Sequence, residues 1–160
     1  MDVVNGQMAI HAWEKYLVLG FDPGRDKTGF AFSDFEGGLI SSGIFATIER
    51  EEFFAALLNG EELSRWTLEG KFSPTKNIFS LVKIIAVGDG THSKYFLYDV
   101  KKNLPREILS VDEKNSTLEA RALYWKLHAP KFWQKFLPKG LRVPPRILDD
   151  LAAYSIATRA

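Results

Sequence analysis

Short apolar runs broken by turn residues dominate the first half of the chain. Tyr16 to Phe21 (YLVLGF) has strand length and stops at Asp22-Pro23-Gly24, a turn signal. Thr28 to Ser33 and Leu39 to Ile48 predict two further strands, and the short links between the three favour an antiparallel meander. Glu49 to Leu58 predicts a helix with its acids at the positive N-terminal end. The stretch 60–77 carries no clear period. Ile84 to Val87, preceded by Leu81-Val82, predicts a buried strand closed by Gly88-Asp89-Gly90. Ser93 to Val100 predicts a helix and Glu107 to Val111 a fifth strand. Ser116-Thr117-Leu118-Glu119 has the spacing of a capping box, so a helix is expected from there to just before Pro130. Phe132 to Leu137 predicts a short helical piece, and Pro144-Pro145 the opening of a last helix that runs to near Thr158. The alternation predicts the α/β class, with a five-stranded sheet flanked by helices.

The 160 residues suit a single domain, residues 1–160, with 1–14 expected as a flexible extension. Nothing at the N-terminus has the pattern of a secretory signal, and no apolar run suits a membrane span. The absence of cysteine excludes disulfides and thiolate metal sites and fits a cytoplasmic protein. A net charge of +1 conceals an asymmetry. Asp34 to Glu69 holds eight acids and two bases, whereas Lys114 to Arg146 holds eight bases and one acid. A basic patch on a near-neutral chain points to a local anionic partner such as nucleic acid, or to a solvated helical surface.

Carboxylates at strand ends and helix starts are the main candidate chemistry. Hard divalent ions take carboxylate and water oxygens, and two such ions can clamp the attacking and leaving oxygens of a phosphodiester displacement. Asp22 ends the first apolar run, at the strand edge where α/β folds commonly place their sites. Glu113 follows the fifth strand. Asp149 lies early in the last helix and shares a face with Ala152, Ala153 and Ile156, so small side chains would let it press against the sheet. Asp150, one step around, is expected to face outward, and Asp89 in its glycine-flanked turn is a spare candidate. Each also has a plainer reading, as a turn former, loop acid or helix-dipole partner. Arg25 and Lys27, beside Asp22, and Lys114, Arg121 and Arg146 of the basic third are candidates for phosphate contacts. Trp125 and Trp133 could stack on bases or pack internally. His11, His92 and His128 have no metal-ligand spacing.

Three segments resemble a known family in its order. LGFDPGRDKTGFAFSD (Leu19 to Asp34), SVDEKNSTLEARALYW (Ser110 to Trp125) and PPRILDDLAAYSIA (Pro144 to Ala157) resemble the opening strand-loop-strand, the V-D-E segment and the terminal D-x-x-A-A helix of YqgF/RuvC-type proteins. That resemblance implies an RNase H-like fold whose second strand is antiparallel to the rest. It implies Asp22, Glu113 and Asp149 as catalytic, metal-binding residues for Mg²⁺ or Mn²⁺. The function it implies is endonuclease cleavage of branched DNA (Holliday junctions) or precursor 16S rRNA, by a monomer or homodimer. VGDGTHSK (Val87 to Lys94) is instead closer to a turn in the RNase H-like domain of Tex-type proteins. The alternative is therefore a non-catalytic nucleic-acid or protein-binding module. Sugar-kinase and actin-type ATPases share the strand-Asp-Gly opening, but they pair two such domains.

Overall fold

The first strand, β1 (Leu17–Pro23), runs through the middle of the sheet because neither of its faces is polar until its last turn. Successive side chains alternate faces. Leu17, Leu19 and Phe21 are fully buried on one side, while Val18 and Gly20 face the other. The computed structural model describes residues 16–70 and 77–160, so the expected 1–14 extension and His11 lie outside the described residues. β2 (Lys27–Asp34) pairs antiparallel with β1, and β3 (Leu39–Ala46) antiparallel with β2. β5 (Val82–Gly88) and β6 (Glu107–Val111) extend the other side in parallel.

A sixth strand corrects the five-stranded expectation. β4 (Thr67–Gly70) pairs antiparallel with β3, giving the order β4-β3-β2-β1-β5-β6, with β2 and β4 running against the other four. Its four residues carry no apolar repeat. The exposed edge of β3 supplies their partner, and Gly70 supplies a φ of +135° that other residues rarely adopt.

Large rings fill one face. α1 (Arg50–Leu58), α2 (Ile78–Leu81) and α3 (Ser93–Asn103) contribute Phe53, Phe54, Phe79 and Phe96 against Phe21, Phe30, Phe32 and Phe45 of the sheet. Phe45 and Phe53 stack at 4.3 Å, and Phe21 meets Phe96 edge-on at 5.1 Å. Such pairs add about 0.5–1.5 kcal/mol each beyond their buried area.

Small residues line the opposite face, where α5 (Asp149–Ala157) lies on β1 and β2. A Cβ on Gly20 would strike the Ala153 carbonyl, and one on Gly29 the Asp149 carbonyl. The helix backbone occupies the space that side chains would have taken. α4 (Ser116–Leu127) then covers α5 from outside through Ala120 and Tyr124 against Leu151 and Ala152.

Local expectations also shift. The last helix starts at Asp149, not at Pro144-Pro145, because residues 144–148 run irregularly while Arg146 bonds to Asp150 and to the Ile147 carbonyl. The capping box does not form. Asn115 caps α4 in the left-handed region at φ 66°, Ser116 is buried, and Glu119 instead accepts from Ser155 and pairs with Arg159 at 2.7 Å. The Phe132 to Leu137 piece is a 3₁₀ turn at Phe132–Phe136, and another follows at Lys139–Leu141. Among the described residues no helix is long and apolar enough to cross a membrane.

Candidate functional site

Asp22 is the last polar residue of β1 and points to the same face as Gly20, toward α5. Glycines flank it on both sides. Gly29 is its cross-strand partner in β2, and Gly88 lies in β5 one residue beyond the Phe21–Val87 pair. The space above Gly29 is taken by the backbone of Asp149. The space above Gly90 is taken by the Glu113 carboxylate, while a Cβ on Gly88 would strike Ile156 first, with Glu113 Oε2 beyond it at 3.4 Å. Asp149 and Glu113 therefore each approach Asp22 at the C-terminal end of β1. Asp22 and Asp149 line one cavity of about 210 Å³ together with Arg121 and Arg146.

The electrostatics reflect this crowding. Burial, then Asp149, then Glu113 raise the Asp22 pKa from 3.8 to about 7. Asp149 is also raised, by burial and by Asp150, while nearby Lys27 partly opposes the shift. Among the described residues no three His, Cys, Asp or Glu side chains are grouped closely enough to hold a metal ion as they stand. The donor chemistry of the Asp22–Asp149 pair nonetheless fits Mg²⁺ or Mn²⁺, since Mg²⁺ is commonly held by one or two carboxylates with waters and substrate phosphates.

Asp150 corrects the outward placement expected for it. It is fully buried, because its side chain turns to Ser42 of β3 and to Arg146 instead of to solvent. A network compensates its charge. Ser42 Oγ donates to Asp150 Oδ2 at 2.7 Å, and Arg146 donates to Oδ1 at 2.7 Å and Oδ2 at 3.2 Å. Arg146 also donates to Glu69 Oε1 at 2.7 Å, an oxygen that His128 Nε2 meets at 2.6 Å. Burial alone would lower the Arg146 pKa, but the hydrogen bonds it donates to Asp150 and Glu69 outweigh that and raise it. Burial likewise works to raise Glu69, and its bonds to Arg146 and His128 outweigh this and lower it.

The remaining candidates fall in different places. Asp89 is exposed, and its Oδ1 accepts the Glu113 amide at 3.1 Å, so it braces the loop that carries Glu113. Arg25 pairs with Asp26 at 3.2 Å on the exposed loop. Lys114 is exposed at the start of the loop to α4, where its amide donates to Asp112. Arg121 borders the Asp22–Asp149 cavity. Arg146 borders it too, with its guanidinium shared between two carboxylates. Sequence reasoning missed Ser42, Glu69 and His128, which share no motif and meet only through the fold. His92 is exposed just before α3.

No family model matches the chain, and no curated protein matches it. Among solved structures the chain is similar to a ROK family transcriptional regulator, a homologue of the E. coli MLC protein. The identity is 14%, over 78% of this chain and 36% of that one, with a TM-score of 0.40. The chain thus spans about a third of that regulator's length. Membership of the YqgF/RuvC-type family, expected from three short segments, is not borne out: no family model matches the chain.

Proposed function

We propose that the chain is a divalent-metal-dependent endonuclease with an RNase H-like sheet, cleaving phosphodiester bonds in structured nucleic acid where Asp22, Glu113 and Asp149 gather. The observation that carries this reading is the approach of two acids to Asp22: the backbone of Asp149 fills the space over its cross-strand partner Gly29, the Glu113 carboxylate fills that over Gly90 just past the end of β5, and both raise the Asp22 pKa. The sheet order around the central β1, with β2 reversed, supports the fold. Asp22 and Asp149 are the residues to hold Mg²⁺ or Mn²⁺, with Glu113 beside them. A bound ion would polarise the phosphodiester and lower the pKa of a bound water. Asp89 keeps Glu113 in place through its amide, and α5, seated on Gly20 and Gly29, fixes the height of Asp149. Lys27 and Arg121 stand near the carboxylates and would orient the scissile phosphate.

A second reading, a non-catalytic nucleic-acid or protein-binding module, is favoured by the absence of a three-ligand group among the described residues. One experiment separates them. The protein is incubated with Mn²⁺ or Mg²⁺ and either a four-way DNA junction or a structured precursor RNA, alongside Asp22→Asn and a chelator control. Metal-dependent products that fall about a hundredfold or more in Asp22→Asn support the endonuclease. Binding without cleavage in any metal sinks it in favour of the module.

A further inference from the structure

A larger cavity of about 510 Å³ lies one helical turn along α4 from the carboxylate end, within the size range of small-ligand sites. Leu118, Arg121, Trp125 and Lys126 form one helix face at i, i+3, i+7 and i+8, and Lys139 faces them from the 3₁₀ turn. No acid lines it. Among the described residues, Arg121, Lys126 and Lys139 have no acidic partner. Arg142, the other cation there, is occupied by the carbonyls of Gln134, Lys135 and Leu137 at 2.9, 3.0 and 3.2 Å, and so holds the opposite wall in shape. Trp125 meets Tyr124 edge-on at 5.0 Å, and among the described residues no ring stacks face to face on it. Arg121 lines this cavity and the Asp22–Asp149 cavity alike, so the two are joined through one side chain.

We propose that this groove is a nucleotide subsite, which takes one base of a single strand on Trp125 and its phosphates on Arg121, Lys126 and Lys139. The inference rests on the nucleic-acid reading of the carboxylate end, and it names where the strand leading to that end would lie. Three exposed cations without acidic partners among the described residues, around an apolar floor, suit an occupant that is both flat and anionic. A strand of bases and phosphates meets both needs, because every base has a face to stack and every linkage a charge. An acidic peptide offers the charge without the face, and a lipid surface is too broad for a concave site of this size.

The test reads binding with chelator present, so that it does not depend on cleavage. Fluorescence anisotropy of labelled oligothymidylate and oligouridylate is measured with the parent, with the double variant Lys126→Glu/Lys139→Glu, and with Trp125→Leu and Trp125→Phe. Circular dichroism melts confirm that each variant folds, and the exposed lysines keep the test open if a tryptophan variant does not. The charge reversal should weaken binding about tenfold or more and flatten its salt dependence. Trp125→Leu should weaken it about fivefold or more, and Trp125→Phe should restore most of the loss. Equal binding by the parent and the lysine variant overturns the subsite. So does competition by inorganic polyphosphate as effective as unlabelled oligonucleotide, or retention on anionic phospholipid vesicles in place of oligonucleotide binding. Oligonucleotide binding in a protein that cleaves nothing with metal would leave the groove standing and remove the endonuclease reading. Metal-dependent cleavage unaffected by the lysine reversal would do the opposite.

Discussion

The hydroxyl of Ser42 reaches Asp150 Oδ2 at 2.7 Å, joining β3 to the start of α5 across 108 residues of sequence. Its neighbour Ser41 is buried as well, yet among the described residues its hydroxyl has no partner. Adjacent serines thus carry opposite expectations. Ser42→Ala leaves a buried carboxylate short of a donor and should cost about 1–3 kcal/mol. Ser41→Ala removes a hydroxyl with no partner among the described residues and should be neutral or stabilising by up to about 1 kcal/mol. Urea denaturation of both variants measures the difference, and equal losses would contradict the assigned partners.

Asp22 should make the apo protein less stable as pH rises. Its pKa is about 7 in the fold against an ordinary 3.8, so the folded state holds the proton more tightly than the unfolded chain. The group is least costly below its unfolded value, and its cost grows as pH climbs from about 4 toward 7. Asp22→Asn removes that dependence. Thermal melts of parent and variant across this range should diverge in the variant's favour toward neutral pH. Added Mn²⁺ should then raise the melting temperature of the parent and leave the variant unchanged.

Glu69 should behave with the opposite sign. Although burial opposes it, bonding to Arg146 and His128 holds its pKa below the ordinary 4.5. The stability it contributes is present above 4.5 and is lost as pH falls through the folded value. Glu69→Gln should therefore be less stable than the parent near neutrality, with the gap closing in acid. Denaturation midpoints at several pH values would show this, and a gap that widens in acid would contradict it.

Glycines give the sharpest steric contrast. A Cβ on Gly29 would collide with the Asp149 carbonyl, whereas one on Gly140 meets nothing within 4 Å. Gly29→Ala should lift α5 off β2, costing about 1–3 kcal/mol by overpacking and weakening any metal-induced stabilisation. Gly140→Ala should be neutral or stabilising by about 0.4–1 kcal/mol through the unfolded chain. Calorimetry with and without Mn²⁺ tests both halves.

The meander of β1 to β3, the helix at Ser93, the strand at Glu107 and the small-residue face of the last helix were all legible in the sequence, because each is written in local apolar periods. β4 was not, since four residues with two exposed positions have no period, and only the edge of β3 makes them a strand. Asp150 was misplaced because its burial depends on Ser42, Glu69 and Arg146, which lie far from it or carry no shared motif. The family resemblance misled for a related reason. Gly20, Gly29 and the alanines of α5 are required wherever a helix backbone rests directly on strands, so such segments report a packing demand shared beyond one family.

The docking of α5 on Gly20 and Gly29 also sets an order of events. During synthesis Asp22 is made early and Glu113 later, but Asp149 arrives only with the helix that must travel back to β1 and β2. Contacts this distant in sequence form late, because the long loop must close before they return any energy. The repulsion that Asp149 exerts on Asp22 is thus absent from the nascent chain and is imposed only when the last element seats. A folding intermediate lacking that helix would leave Asp22 more open to water, with Asp149 not yet beside it.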